Sequence, residues 1–159
     1  MKEISFWIDG ESVAVSVEPD ETLLYVLRER LGRLAVKEGC GQGECGACTV
    51  LLDGEPVPSC LVLAVRVAGR RVLTVEGLGS PEALDPVQEA FVREGAIQCG
   101  FCTPGMVLTA HALLQENPRP TESEIRQALA GNLCRCTGYA KIIAAVKAAA
   151  GTAEGGEGA

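Results

Sequence analysis

The chain has 159 residues, of which 47% are hydrophobic and only 4% aromatic, a composition that predicts a globular protein with aliphatic cores and excludes a disordered one. Its formal net charge is −7 and its 14 basic residues are scattered, which argues against nucleic-acid binding. Charges at positions 2, 3 and 9 interrupt any signal-peptide hydrophobic region, and no apolar run reaches the roughly 18 residues that a membrane span needs. We therefore expect a cytoplasmic protein without a membrane span.

The first half of the chain carries the β-strand patterns. Alternating hydrophobic residues flank Asp9-Gly10, a dipeptide typical of a tight hairpin turn, and Asp53-Gly54 follows a later apolar segment in the same way. The predicted strands cover residues 4–8, 13–17, 49–52 and 71–75. These segments predict a small mixed β-sheet.

One helix and one loop are predicted among these strands. The leucine spacing over 23–31 indicates a short amphipathic helix with Asp20 or Thr22 as its N-cap. Gly32 provides a typical end for this helix. Residues 39–48 are rich in Gly and Cys, and they predict a loop.

Beyond residue 80 the patterns are those of helices. Asp85-Pro86 indicates one helix start, and Thr103-Pro104 indicates another, with Thr103 as the capping residue. Thr121 and Glu124 form a capping box. The predicted helices run over residues 86–95, 103–115, 121–131 and 139–149. The second half is therefore predicted to be a four-helix bundle.

These elements predict an α+β chain with two domains. The first covers residues 1–79 and the second residues 80–150, while residues 151–159, rich in Gly and Glu, are predicted to be a disordered tail. The chain has eight cysteines, and four fall in each domain. In a reducing compartment such thiols indicate metal or redox chemistry rather than disulfides.

The first four cysteines have the spacing C-x4-C-x2-C-x11-C. They are Cys40, Cys45, Cys48 and Cys60. The opening spacing is that of plant-type ferredoxins, in which a [2Fe–2S] cluster takes two thiolates on each iron. The glycines that separate these cysteines allow the backbone N–H groups to approach an anionic cluster closely. We interpret the four residues as ligands of a [2Fe–2S] cluster.

Zinc is the alternative for this loop, because it also accepts four thiolates. Zinc sites are usually built from paired C-x2-C knuckles, and here only Cys45 and Cys48 form one. A zinc-bound interaction module predicts a colourless protein, whereas an iron–sulfur cluster absorbs visible light. Visible absorption therefore separates the two interpretations.

The other four cysteines have the spacing C-x2-C-x31-C-x-C, which is less specific by itself. They are Cys99, Cys102, Cys134 and Cys136. Each pair lies just before a predicted helix start, and helix N-termini stabilise negative charge through their free N–H groups. Cysteines buried in an ordinary core are the alternative. We interpret these residues as ligands of a second [2Fe–2S] cluster.

Five segments of the chain, in this order, resemble the small iron–sulfur subunit of the molybdenum hydroxylases, the family of xanthine dehydrogenase, carbon monoxide dehydrogenase and aldehyde oxidoreductase. The segments are EGCGQGECGACTV (38–50), PSCL (58–61), VEGL (75–78), IQCGFCTPGM (97–106) and GNLCRCTGY (131–139). They span nearly the whole chain apart from its tail, and the resemblance shows no departure at a ligand position.

The resemblance implies an N-terminal β-grasp ferredoxin-like domain, a C-terminal four-helix bundle and a role in electron transfer. It implies a large subunit with a molybdopterin cofactor, a medium subunit with FAD, and assembly as a dimer of heterotrimers. Gln98 and Cys136 match family positions that contact the pterin, and Cys136 is also a cluster ligand. The chain would then belong to an oxidoreductase without holding a catalytic site of its own.

A free-standing two-cluster ferredoxin that shuttles electrons between separate enzymes is the alternative function. Such a carrier would be purified without a molybdenum-containing partner. Three other residues receive no functional assignment. His111 is interpreted as a packing or helix-surface residue, Trp7 as an exposed strand residue, and Arg135 as a surface charge between two ligands.

Overall fold

The computed structural model describes residues 1–154, with side chains described through residue 151. It contains one five-stranded sheet of order β2-β1-β5-β3-β4. The strands are β1 Lys2–Ile8, β2 Glu11–Val17, β3 Thr49–Leu52, β4 Glu55–Pro58 and β5 Arg71–Leu73. β1 runs parallel to β5, and the other neighbouring pairs are antiparallel, so the predicted mixed sheet is confirmed.

The edge strand β4 has no counterpart among the strands predicted from the sequence. It contains Pro56 and Pro58, which lack the N–H that a central strand needs. An edge strand tolerates proline because one side has no neighbour, and β4 pairs only with β3. β5 is two residues shorter than predicted, because the chain turns into a 3₁₀ turn over Val75–Gly77.

The first core lies between the sheet and helix α1. This helix covers Leu23–Tyr25 and continues as a π-helical turn over Val26–Arg30. Thr22 is its N-cap, because its Oγ1 accepts a hydrogen bond of 3.2 Å from Tyr25 N. The largest side chains fully buried in this core are Phe6, Ile8, Leu23 and Leu27.

Four helices pack around a second core. They are α2 Pro86–Arg93, α3 Thr103–Glu116, α4 Glu122–Ala128 and α5 Ala140–Glu154. α2 packs along α5, and α3 contacts α2 and α4 on one side and β3 on the other. Phe91, Met106, Ile125 and Ile142 are fully buried between the helices. Within residues 1–154 no helix is both long and apolar enough to cross a membrane.

Helix starts agree with the sequence where a side chain caps the backbone. Asp85 and Thr121 each begin a complete capping box, with Gln88 and Glu124 as reciprocal partners. The prediction that Thr103 caps α3 is wrong. The helix begins at Thr103, so the cap position falls on Cys102, whose side chain makes no capping hydrogen bond.

The last helix differs from its predicted bounds at both ends. Tyr139 has a left-handed backbone, with φ of 70°, so α5 begins at Ala140. Its C-terminal end lies at Glu154, beyond the predicted start of the tail at Gly151. The remaining part of the predicted disordered tail, residues 155–159, lies outside the described residues.

The capping box of α4 can be tested by the substitution Thr121→Ala. This change removes the acceptor of Glu124 N, and N-cap losses cost about 1 kcal/mol of unfolding free energy. We expect the melting midpoint, followed by circular dichroism, to fall by about 2–4 °C. Ser123→Ala, an exposed change in the same helix, is the control and should leave the midpoint nearly unchanged. Equal midpoints for the two variants would contradict a stabilising cap.

Candidate metal centres

The loop that precedes β3 directs backbone N–H groups at two thiols. Cys40 Sγ accepts from the amides of Gln42, Glu44 and Cys45 at 3.3–3.4 Å. Cys45 Sγ accepts from the amides of Cys40 and Ala47 at 3.4 and 3.5 Å. Such donors stabilise thiolate sulfur, which is the form that binds iron. The loop is therefore already shaped around negative sulfur.

Two glycines show why this loop needs residues without a Cβ. Gly46 has φ of 73°, and a Cβ there would overlap Gly131 O and Asn132 of the second half. Gly39 has an ordinary φ, but a Cβ on it would lie 2.8 Å from Cys45 Sγ. The first glycine thus permits contact with another segment, and the second leaves space for the sulfur of Cys45.

The other two thiols of the first set are buried beneath this loop. Cys48 lies directly before β3, and Cys60 lies in a 3₁₀ turn over Ser59–Leu61 that follows β4. Ser59 Oγ donates a hydrogen bond of 2.7 Å to Cys48 O, which ties the turn to the loop. The thiols of Cys48 and Cys60 are within hydrogen-bonding reach of each other. The hairpin β3–β4 therefore brings the distant fourth cysteine back to the loop.

The thiols of the first set differ in acidity. Hydrogen bonds from the amides of Gln42, Cys45 and Glu44 lower the pKa of Cys40 to about 6, so its thiolate is favoured at neutral pH. Burial raises the pKa of Cys60 to about 11, and the neighbouring Cys48 adds to this effect. The buried thiol needs a cation to lose its proton near pH 7, and bound iron supplies that charge.

The second set of cysteines lies around one pocket of about 430 Å³. Its lining includes Cys99, Cys102, Cys134 and Cys136, together with the exposed apolar side chains of Phe101 and Leu133. Cys99 and Cys136 are exposed, whereas Cys102 and Cys134 are partly buried. The structure thus joins two sequence segments that lie about thirty residues apart, as the helix starts predicted.

Two residues that hold Cys134 were not singled out as site residues from the sequence. Thr137 Oγ1 donates to Cys134 Sγ at 3.0 Å, and Thr137 N donates to the same sulfur at 3.4 Å. Tyr139 hydroxyl accepts the Cys134 amide at 2.9 Å. The left-handed backbone at Tyr139 turns its ring back towards the ligand segment. Their position directly after the motif Cys134-Arg135-Cys136 was the feature of the sequence that could have identified them.

The acidity of the second set follows the same physical rules. Burial by itself would raise the pKa of Cys134, but the hydrogen bonds from Thr137 outweigh it and bring the pKa to about 7. Burial raises the pKa of Cys102 to about 12, and the adjacent Cys134 adds to the shift. Hydrogen bonding to Cys99 raises the pKa of Cys136.

The thiols are arranged in pairs, and this arrangement can be compared with the ligands that a two-iron cluster needs. Four pairs of thiols lie within hydrogen-bonding reach of each other: Cys40/Cys45, Cys48/Cys60, Cys99/Cys136 and Cys102/Cys134. Among residues 1–154, no group of three or more Cys, His, Asp or Glu is gathered to hold a single metal ion. A [2Fe–2S] cluster takes two thiolates on each iron, so two pairs at each site fit its ligand demand.

Other residues considered from the sequence lie as follows. Gln98 lies directly before Cys99 and is exposed. Arg135 lies between Cys134 and Cys136 and is also exposed. Trp7 is exposed, as its place in the strand predicted. His111 Nδ1 lies 3.3 Å from Asp85 Oδ2, so the histidine joins α3 to the cap of α2.

Comparison with known proteins places this geometry in a family. Residues 6–73 match a family model described as a 2Fe-2S iron-sulfur cluster binding domain, and residues 74–147 match one described as a [2Fe-2S] binding domain. The nicotinate dehydrogenase small FeS subunit of Eubacterium barkeri is 50% identical over 91% of this chain and 92% of its own length. The chain belongs to the small iron–sulfur subunits of the molybdenum hydroxylases. The resemblance predicted from the sequence is thereby confirmed.

Other proteins are similar to this chain in sequence or structure. The nicotine 6-hydroxylase small subunit of Paenarthrobacter nicotinovorans is 50% identical over 94% of this chain and 90% of its own length. A chain of quinoline 2-oxidoreductase from Pseudomonas putida 86 superposes with a TM-score of 0.92 at 49% identity, covering 98% of both chains. The aldehyde oxidoreductase of Desulfovibrio desulfuricans gives a TM-score of 0.95 at 44% identity, over 98% of this chain and 17% of the larger one.

Family membership also settles the class of function. Iron–sulfur subunits of this family transfer electrons within oxidoreductase complexes, and the prediction of an electron-transfer subunit is confirmed. The ferredoxin-like, mixed α+β fold is confirmed as well. Each of the two matched regions contains four of the eight cysteines.

Proposed function

We propose that this subunit carries electrons from a molybdopterin site on a large subunit, through two [2Fe–2S] clusters, to FAD on a medium subunit. The observation that carries the proposal is the division of the eight thiols into two sites of two pairs each. The first cluster would be held by Cys40, Cys45, Cys48 and Cys60. The second would be held by Cys99, Cys102, Cys134 and Cys136. Each bound cluster supplies a one-electron acceptor and donor.

The protein must stabilise a cluster whose charge changes by one unit when it accepts or releases an electron. Amide donors around Cys40 and the Thr137 donors to Cys134 stabilise negative sulfur without having to reorient when an electron arrives. A rigid donor set of this kind keeps the structural change on reduction small. Burial of Cys48 and Cys60 limits water around one side of the first site.

Exposure supports the order of the two clusters in the chain of carriers. Cys99 and Cys136 are exposed in an open pocket with an apolar rim that includes Phe101, which suits a site covered by another subunit. We assign the large, molybdopterin-binding subunit to this face. Gln98 and Cys136 would contact the pterin, Gln98 through its exposed amide. The first cluster would then lie nearer to FAD.

The finer features of fold and assembly belong to the same proposal. Sheet order and the helix across the sheet support a β-grasp domain over residues 1–79. The four packed helices support a four-helix bundle over residues 80–150. Relatives named as subunits of xanthine dehydrogenase and aldehyde oxidoreductase support a heteromeric complex, which we propose to be a cytoplasmic dimer of heterotrimers.

Purification of the subunit from its native source tests this proposal. We expect it to co-elute with a molybdenum-containing chain and a flavin-containing chain, and to carry about four irons, two for each cluster. Partial reduction with dithionite should give two distinct EPR signals of [2Fe–2S]⁺. A red protein without partners would support the free-standing ferredoxin instead. A colourless protein with bound zinc would overturn both iron–sulfur functions.

A further inference from the structure

One buried amide side chain joins the two cluster-binding halves of the molecule. Asn132 is 5% exposed and lies two residues before Cys134. Its Nδ2 donates to Gly46 O at 3.2 Å and to Thr49 Oγ1 at 3.3 Å, and its Oδ1 accepts from Thr109 Oγ1 at 2.9 Å. The side chain therefore uses both its N–H groups and its oxygen.

The partners of Asn132 lie in three separate parts of the fold. Gly46 follows the ligand candidate Cys45 in the first cluster loop, Thr49 begins β3, and Thr109 lies in the middle of α3. Asn132 itself lies in the segment that leads to the second cluster. One side chain thus fixes the first loop, the sheet, a helix and the second ligand segment relative to one another.

Close backbone contacts surround this amide. Leu133 N donates a hydrogen bond of 2.9 Å to Cys45 O. A Cβ on Gly105 would overlap Gly46 O, so α3 lies against the first loop without a side chain between them. These contacts bring the backbone of the first loop and of α3 directly against the amide, so its hydrogen bonds join segments that already touch.

We propose that Asn132 is a positioning residue that sets the separation and orientation of the two cluster sites. The inference rests on the proposed assignment of the eight cysteines as ligands. With both clusters bound, one electron would pass from the reduced second cluster to the oxidised first cluster, a step that would need no proton and break no bond. Its rate falls steeply with distance, so a small displacement between the loops slows it.

Two substitutions loosen the contact from opposite sides. Asn132→Asp keeps the shape and the acceptor for Thr109, but it replaces the donor amide by an oxygen that faces Gly46 O. Thr109→Val keeps the volume and removes the donor to Asn132 Oδ1. Thr121→Ala is the matched control, because it also removes hydrogen bonds of one side chain but lies in the cap of α4, away from this contact.

The measurement uses the complete purified complex, fully reduced with dithionite. At low temperature, the magnetic interaction between two reduced clusters splits their EPR signals to an extent that depends on their separation. We expect both signals to persist in Asn132→Asp and their mutual splitting to decrease or disappear, with a smaller change in Thr109→Val. Thr121→Ala should keep the wild-type splitting even though its melting midpoint falls.

Hydrogen–deuterium exchange of the peptide that contains Leu133 gives an independent readout. We expect its amide to exchange faster in Asn132→Asp and at the wild-type rate in Thr121→Ala. Unchanged splitting and unchanged exchange in both loosening variants would overturn the positioning role. If Asn132→Asp fails to assemble, the EPR splitting and the exchange rate measured on Thr109→Val test the positioning role. Failure of the proposed function is distinct, because the wild-type complex would then lack one or both cluster signals.

Discussion

Replacement of Cys136 by serine is expected to abolish the EPR signal of the second cluster and to stop reduction of the first cluster by substrate. Cys136 forms a pair with Cys99 at the exposed side of the second site, so its loss leaves one iron with a single thiolate instead of two. The electrons would then lack their carrier between the molybdenum site and the first cluster. The first cluster should still be reduced directly by dithionite.

The measurement combines two reductants on the same purified complex. Dithionite reveals which clusters are present. Nicotinate, xanthine and an aldehyde are first tested for reduction of the wild-type complex. The compound that reduces it then reveals which clusters receive electrons. Cys48→Ser is the matched control, because it should remove the first signal while substrate still reduces the second cluster. Normal signals and normal reduction by substrate in Cys136→Ser would show that this cysteine is not a ligand.

The substitution Gly46→Ala is expected to cause a large loss of stability. Its φ of 73° disfavours any residue with a Cβ, at a cost of about 1–2 kcal/mol. The new methyl group would also overlap Gly131 O and Asn132, and overpacking of this kind costs about 1–3 kcal/mol more. We expect a total loss of about 2–5 kcal/mol, and weakened binding of the first cluster.

Gly41→Ala separates the two contributions to this loss. Gly41 lies in the same loop next to a ligand candidate and has φ of 66°, but a Cβ on it would have nothing within 4 Å. We therefore expect a loss of only about 1–2 kcal/mol in urea unfolding and a normal first-cluster EPR signal. If the two variants lose the same stability, the close contact across the halves contributes nothing, and the strained φ accounts for both results.

Local patterns were the most reliable guide to the fold. The Asp9-Gly10 hairpin, the helix start at Asp85 and the capping box at Thr121 form as predicted, because each depends on hydrogen bonds between residues only a few positions apart. The prediction fails at the start of α3. Thr103 lies inside a helix rather than at its cap, because the ligand turn before it has already adopted helical angles.

The sequence by itself determined the two sets of four cysteines, the ferredoxin-like first half, the helical second half and the family. These depend on spacing along the chain and on short-range hydrogen bonds, which the order of residues specifies directly. Only the tertiary structure decided how the two sites are held together. The contact of Asn132 with Gly46 joins residues 86 positions apart, and the pairing of the thiols follows from the same packing. Such contacts form only when both cores are packed, so no local pattern in the sequence predicts them.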